Sequence, residues 1–375
     1  MEGNKQKANR ILFLVSDTGG AHRNCANAII SSLNEISDRD ITPIIMDFFR
    51  ETNKRLDKKI KDFYSKSIRK SSIAHGILFH MTNNKYVWSS IQPIYNLIYK
   101  SLKEKIMMLM PDIIISTHPL VNHITCKILR DLNLKIPFMI VIVDHVTLHQ
   151  SWIEPYADYF IVASEEARRR LLRENIEDSK IKNLGYMINP VFYEHISDII
   201  TIKKELGIRE NSFTVLFTGG GDGGGRIYPI VKQILKENLD CEIIVICGRN
   251  NALNKRLSGF PIKLMGYTDR MHDFVSIADL IVGKAGSATI EEAISNGKPL
   301  ILTSYVYGQE EGNIEYAKKR TIAYYETNPK KVVMLIKKHF LSRKRDFKKV
   351  PKEDAPVYKI ASFINGVLES HNTKF

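Results

Sequence analysis

Apolar residues dominate short blocks at 11–15, 41–46, 137–143, 159–163, 214–217, 242–247, 263–265, 280–282 and 300–303. A further block, 111–119, reads as a strand running into a polar turn. Consecutive apolar residues of strand length predict strands covered on both faces, as in a parallel sheet. Between the blocks the period lengthens to that of a helix, as at Ile29, Ile30 and Leu33 after the first block. Strand and helix alternate from end to end, which predicts an α/β fold of two Rossmann-like, doubly wound domains. The expected division is 1–195 and 196–375. A Lys/Glu-rich stretch at 199–210 reads as the junction, and a final helix over 357–368 is expected to pack back across it.

Chemistry gathers where strands end. The first block runs into Ser16-Asp17-Thr18-Gly19-Gly20-Ala21-His22-Arg23, which lacks the G-x-G-x-x-G dinucleotide fingerprint but puts His22 just inside a helix start. His118, Asp144 and His149 also follow strand ends. In open α/β sheets that edge receives ligands. In the second half, 214–217 leads into six glycines within Gly219–Gly225, enough to let backbone approach a ligand closely, most often a phosphate. Block 280–282 leads into Gly283-Lys284-Ala285-Gly286-Ser287-Ala288-Thr289 and then Glu291 and Glu292. Small residues at a strand-to-helix turn expose helix amides to an anion, and a nearby carboxylate can accept bonds from vicinal hydroxyls. Together they suggest a nucleotide-sugar pocket.

Composition narrows the setting. The chain has 375 residues, is 44% hydrophobic and carries a formal net charge of +14, which favours an acidic partner. Its four cysteines form no C-x-x-C pair and read as buried thiols of a reducing compartment. No apolar run approaches the ~18 residues of a spanning helix, so a cytoplasmic protein peripheral on the inner membrane face is expected. Lys54, Arg55, Lys58, Lys59, Lys61, Lys66, Arg69 and Lys70 alternate with Phe63, Tyr64 and Ile68, and Phe79, Tyr86, Trp88, Tyr95 and Tyr99 follow. That basic, aromatic segment over 54–100 suits an anionic membrane surface. The tail is basic again at Lys337, Lys338, Arg343, Lys344, Arg345, Lys348 and Lys349. No basic recognition helix or base-stacking strand is legible, so no nucleic-acid partner is expected. Asp38-Arg39-Asp40 has a D-x-D spacing but reads as a solvated turn, and no metal site is expected.

Six motifs in order carry a resemblance. SDTGGAHRNCANAI at 16–29 and VDHVTLHQSW at 143–152 resemble motifs of the monogalactosyldiacylglycerol synthases and processive diacylglycerol glucosyltransferases. GGGDGGG, GYTDRM, KAGSATIEEA and GQEEGN resemble the donor-half motifs of glycosyltransferase family 28. The resemblance implies a GT-B fold, two Rossmann-like halves facing across a cleft. It implies inverting transfer of glucose or galactose from a UDP-hexose to diacylglycerol, with no cofactor and no obligatory metal. His22 matches the histidine proposed as catalytic base; on physical grounds, a carboxylate nearby, Asp144 or Asp17, can assist it. Gly286, Ser287, Ala288 and Thr289 match the diphosphate loop; the residues themselves add Gly219, Gly220, Gly221 and Arg249 as binding candidates, with Arg226 or Lys284 as aids to the departing diphosphate. Glu292 matches the ribose contact, Met271 the uracil contact, and Gln309, Glu310 and Asn313 the sugar-reading positions. Ala21 stands where the usual opening loop has a third glycine. Two enzymes of the same architecture remain as alternatives: a UDP-GlcNAc transferase acting on a polyprenyl-diphosphate precursor, and a UDP-GlcNAc 2-epimerase.

Overall fold

The computed structural model describes residues 8–17, 20–60, 72–194, 199–342 and 348–372. Thr18 and Gly19 of the opening loop lie outside the described residues. So do Lys61, Phe63, Tyr64, Lys66, Ile68, Arg69 and Lys70 of the basic segment, Arg343, Lys344 and Arg345 of the tail, and the expected junction at 195/196. The chain forms two compact units. The first is Met1–Pro190 with Tyr307–Gln309 and Glu353–Phe375; the second is Val191–Val306 with Glu310–Lys352.

The first unit holds a six-stranded sheet of β1 (Asn9–Val15), β2 (Ile41–Asp47), β3 (Ile113–Ser116), β4 (Phe138–Val141), β5 (Tyr159–Val162) and β6 (Ile181–Asn183). Every pairing is parallel, in the order β2-β1-β3-β4-β5-β6. Ile11 to Val15 are all fully buried, which is why that stretch is apolar without alternation. The chain leaves β1 toward β2 on one side and returns to β3 on the other, so the switch point lies between β1 and β3. Gly20 starts the helix Ala21–Ile36 with φ +83, a left-handed conformation that glycine takes without strain. The C-terminal helix Pro356–Asn372 packs on that helix within this unit, tied by Tyr358 to Glu35 at 2.7 Å and by Arg39 to Glu369 at 3.3 Å.

The second unit is built from β7 (Thr214–Thr218), β8 (Glu242–Ile246), β9 (Lys263–Met265), β10 (Leu280–Lys284), β11 (Leu300–Ser304) and β12 (Ala323–Tyr325). It too is parallel, in the order β12-β11-β10-β7-β8-β9. Counted from its own first strand, this is the 3-2-1-4-5-6 order of dinucleotide-binding sheets, with the switch point between β7 and β10. Its core includes Val215, Phe217, Val245 and Val282, with Ile230 and Ile336 from the flanking helices. The edge strands β6 and β12 were not foreseen; each has three residues and is too partly buried to carry an apolar run. The stretch at 199–210, expected as a junction, opens with a helix, Ile199–Glu205, belonging to the second unit.

The segment over 54–100 is helical where it is described, as its residues suggest, but two of its aromatics turn inward. Ser72–Thr82, Lys85–Ile91 and Tyr99–Leu109 are helices, with a 3-10 turn at Gln92–Ile98. Trp88 and Tyr95 point inward and pack together at 5.9 Å, with Phe49 and His149 around them. Trp88 and Tyr95 therefore anchor these helices to the domain, while Tyr86 and several aliphatic and methionine side chains face outward. Among the described residues no helix is long and apolar enough to cross a membrane.

Candidate active site

In the first unit the loops after β1 and β3 meet at the switch point. His22, the second residue of its helix, donates from Nδ1 to the Thr117 carbonyl at 2.5 Å, and the Thr117 hydroxyl donates back to the His22 carbonyl at 2.9 Å. Thr117 is itself fixed, its N–H bonding Leu14 at the end of β1. Burial pushes the His22 pKa down to about 4, only partly offset by the Thr117 bond. The ring is therefore neutral near pH 7. With the proton held on Nδ1 by a carbonyl, Nε2 carries the lone pair. His118 lies 4.3 Å away between ring centroids, and its pKa is held well below the usual value by burial and by its neighbour His22.

The sequence paired His22 with a carboxylate, Asp144 or Asp17. The structure corrects that pairing: the imidazole is oriented by a backbone carbonyl. Asp17 is engaged by Arg23 at 2.5 Å. Asp144 accepts from Trp152 Nε1 at 2.7 Å and from Gln309 Nε2 at 3.0 Å. The Trp152 ring in turn lies 6.4 Å from that of His22, so Asp144 fixes a wall of the site. His149 is a structural histidine. It bonds Thr82 and Ser151, lies edge-on to Phe79 and Trp88, and has a pKa lowered to about 4 by burial and by Arg170.

In the second unit the loops after β7 and β10 meet at the other switch point. The glycine loop folds on itself: Gly223 bonds Gly220 and Gly224 bonds Gly219, each at 2.9 Å. A Cβ on Gly219 would lie 2.0 Å from the Gly224 oxygen, so this glycine serves the loop's own tight turn; at Gly220 the space is open. Arg249 N bonds Gly221, and its guanidinium reaches Asp222 at 3.5 Å and stands 5.6 Å from the Tyr267 ring centre. Across the switch point Gly286 precedes the helix Ser287–Ser295, which has no side-chain cap; the first-turn amides of Ser287, Ala288 and Thr289 are thus available to an anion. Met271 opens the helix Met271–Ile277.

The two adjacent glutamates have separate roles. Glu291 is buried and accepts from Tyr316 at 2.7 Å. Glu292 makes no side-chain hydrogen bond among the described residues, and desolvation raises its pKa to about 8. A partly exposed carboxyl in that condition suits hydroxyls supplied by a ligand. Glu310 bonds Lys284 at 2.6 Å and the Val306 N–H at 2.7 Å, so the Lys284 charge is already matched. Asn313 is buried and donates to the Ala285 carbonyl at 2.9 Å, bracing the turn that carries Gly286. Thr117 and Trp152 escaped sequence reasoning as site-forming residues. Each lies inside a stretch already noticed, but its place beside His22 comes from residues distant in the chain.

Both units match family models: the monogalactosyldiacylglycerol (MGDG) synthase model over residues 22–188 and the glycosyltransferase family 28 C-terminal domain over 214–364. A probable monogalactosyldiacylglycerol synthase of Nicotiana tabacum is 30% identical over 97% of this chain and 71% of its own length. Monogalactosyldiacylglycerol synthase 1 of Arabidopsis thaliana is 30% identical over 87% of this chain, which spans 64% of that relative. Monogalactosyldiacylglycerol synthase 3 of the same plant is 32% identical over 92% and 77% of the two chains. Among solved structures, a UDP-GlcNAc 2-epimerase from Neisseria meningitidis bound to UDP-GlcNAc superposes with TM-score 0.63 at 14% identity, covering 96% of this chain and all of that one. Acinetobacter baumannii MurG does so with TM-score 0.53 at 14% identity, over 96% and 99%. At that identity the likeness is one of fold, GT-B.

Proposed function

The chain belongs to the monogalactosyldiacylglycerol synthase family, and on that premise we propose that it transfers a hexose from a UDP-sugar to the hydroxyl of diacylglycerol, with inversion, on the cytoplasmic face of a membrane. Galactose is the first sugar to test, because the named relatives are galactosyl enzymes. The observation that carries the reading is His22: a neutral imidazole with its tautomer set, at a sheet switch point. In this mechanism Nε2 takes the acceptor proton as the oxygen attacks C1. The C1–O bond to the diphosphate breaks, and UDP leaves with the electron pair. The Ser287, Ala288 and Thr289 amides, the loop at Gly219, Gly220 and Gly221, and Arg249 receive the diphosphate. Glu292 accepts from the ribose hydroxyls, Met271 lies beside the base, and Gln309, Glu310 and Asn313 belong to the sugar-facing turn. These amide donors and cationic groups support a reaction that needs no metal or other cofactor.

The test is incubation of diacylglycerol vesicles with labelled UDP-galactose or UDP-glucose, with and without a chelator, followed by lipid extraction. Label in the lipid phase, unchanged by chelation, is expected. Label found only in epimerised nucleotide sugar would sink the proposal in favour of an isomerase.

A further inference from the structure

Lys284 is the last residue of β10, and its side chain lies between the two glycine turns of the second unit. The strand breaks register with β11 between Gly283 and Lys284, an irregularity of the kind that re-aims a side chain at a strand end. A methyl built on Gly224 would meet Lys284 Cδ at 3.8 Å, and one built on Gly286 would meet its Nζ at 3.9 Å and Glu310 Oε1 at 3.7 Å. The ion pair of Lys284 with Glu310, 2.6 Å long, thus stands at the turn whose uncapped amides await an anion.

The two partners are held unequally. The Glu310 side chain is only 12% exposed, and its second oxygen accepts from the Val306 N–H at 2.7 Å. The Lys284 side chain is 25% exposed and has Glu310 as its one polar partner among the described residues. The carboxylate is therefore fixed by the backbone, whereas the ammonium rides on a flexible four-carbon stem and can swing. A diphosphate at Gly286 carries more negative charge than one carboxylate, so it competes for that ammonium at close range. Two buried polar atoms nearby have no hydrogen-bond partner among the described residues, Asn313 Oδ1 and Ser304 Oγ. Ser304 is the register neighbour of Lys284, and Asn313 is tied to the Ala285 carbonyl. Orphaned buried polar atoms are rare in a finished arrangement, which fits a turn that rearranges around its ligand.

We propose that Lys284 and Glu310 form a switch operated by the donor. The diphosphate draws the Lys284 ammonium away from Glu310, and the released Oε1 then accepts from a hydroxyl of the hexose. Once the hexose has been transferred, Glu310 competes for the ammonium again and speeds the release of UDP. This rests on the UDP-sugar reading above and deepens it, because the carboxylate reads the hexose only after the diphosphate is seated.

The experiment measures UDP and uridine binding to the full chain by calorimetry. Wild type, Lys284→Met, Glu310→Gln and the double variant are compared, with thermal unfolding as the control. Glutamine keeps the bond to the Val306 N–H and loses the charge. Glu310→Gln should therefore leave Lys284 to the diphosphate and tighten UDP roughly five- to tenfold, within the usual coupling of touching charged groups. Lys284→Met should weaken UDP roughly tenfold or more, through loss of a charge-assisted bond. In the Lys284→Met background, Glu310→Gln should tighten UDP clearly less than it does in wild type. Uridine has no diphosphate and should bind all four proteins alike, which a merely structural role for the pair would not allow. In transfer assays Glu310→Gln should lower kcat while UDP becomes the stronger product inhibitor. A crystal structure with UDP should place Lys284 Nζ on a diphosphate oxygen and off Glu310, and it decides the matter if Lys284→Met fails to fold. A pair left intact with UDP bound would overturn the switch. So would weaker UDP binding by Glu310→Gln, or equal tightening in both backgrounds, which would assign Glu310 a direct repulsion of UDP. The two readings fail separately. The expected UDP responses without hexose transfer to diacylglycerol keep the switch and remove that transferase; transfer with an unmoved pair does the reverse.

Discussion

The clasp between His22 and Thr117 can be tested by replacing Thr117 with Val, which keeps the volume and removes the hydroxyl. Thr117 is fully buried, so no water takes over the lost bond to the His22 carbonyl. That carbonyl heads a helix and keeps its place in the helical ladder. The stability cost is therefore that of one hydrogen bond, about 1 kcal/mol, or a fall of about 2–4 °C in Tm for a unit of this size. The larger effect falls on catalysis. With one strut gone, the imidazole is held only by its own Nδ1 bond, and a displacement near 1 Å in a reacting group costs about 100-fold in rate. We expect kcat to fall roughly 10–100-fold with KM for the UDP-sugar unchanged, because the donor is held by other residues. Thr117→Ser restores the hydroxyl and should return kcat toward wild type. Steady-state transfer to diacylglycerol in mixed micelles reads all three proteins. If Thr117→Val lowers Tm as computed while kcat stays at the wild-type value, the clasp is a folding contact and the reasoning about base placement is refuted.

Three further outcomes follow from the same geometry. His22→Ala should lose about 10²–10⁴-fold in kcat, and the wild-type kcat at saturating UDP-sugar should be flat from pH 6 to 8 and fall only as pH approaches 4, since the base is protonated only there; a pH midpoint near 6.5 in kcat would contradict a desolvated neutral imidazole. Glu292 has its pKa raised to about 8 in the empty protein, and hydroxyl donors favour the ionised form, so UDP should bind more tightly as pH rises through 8 and release a proton on binding. Calorimetry in buffers of different ionisation heat measures that proton, and Glu292→Gln should abolish the pH dependence and weaken UDP binding roughly 10–100-fold. Gly219→Ala puts a methyl 2.0 Å from the Gly224 oxygen and should disrupt the glycine loop and UDP binding, whereas Gly220→Ala meets no atom within 4 Å and should cost about 1–2 kcal/mol for its left-handed backbone alone; equal losses of UDP affinity in the two variants would argue against the loop's internal packing.

The strands were legible in the chain itself. A strand buried on both faces must be apolar at consecutive positions, and that constraint is local, so β1, β7 and β10 could be read directly from their residues. The strand-end loops could be located for the same reason: His22, the glycine loop and Gly286 each lie in a loop or helix start that follows an apolar run. Partnerships were not legible, because a hydrogen bond carries no trace in the spacing of its two ends. Thr117 meets His22 across 95 residues, and Gln309 meets Asp144 across 165. Alternation of basic and aromatic residues over 54–100 suggested an aromatic outer face; packing turned Trp88 and Tyr95 inward, since a large ring contributes most when it is removed from water, and left Leu97 and Met108 outside. Glu291 and Glu292 are adjacent and identical as letters. Only the fold gives one a tyrosine partner and leaves the other desolvated and, among the described residues, without a side-chain hydrogen bond, because each points to a different side of the same helical turn.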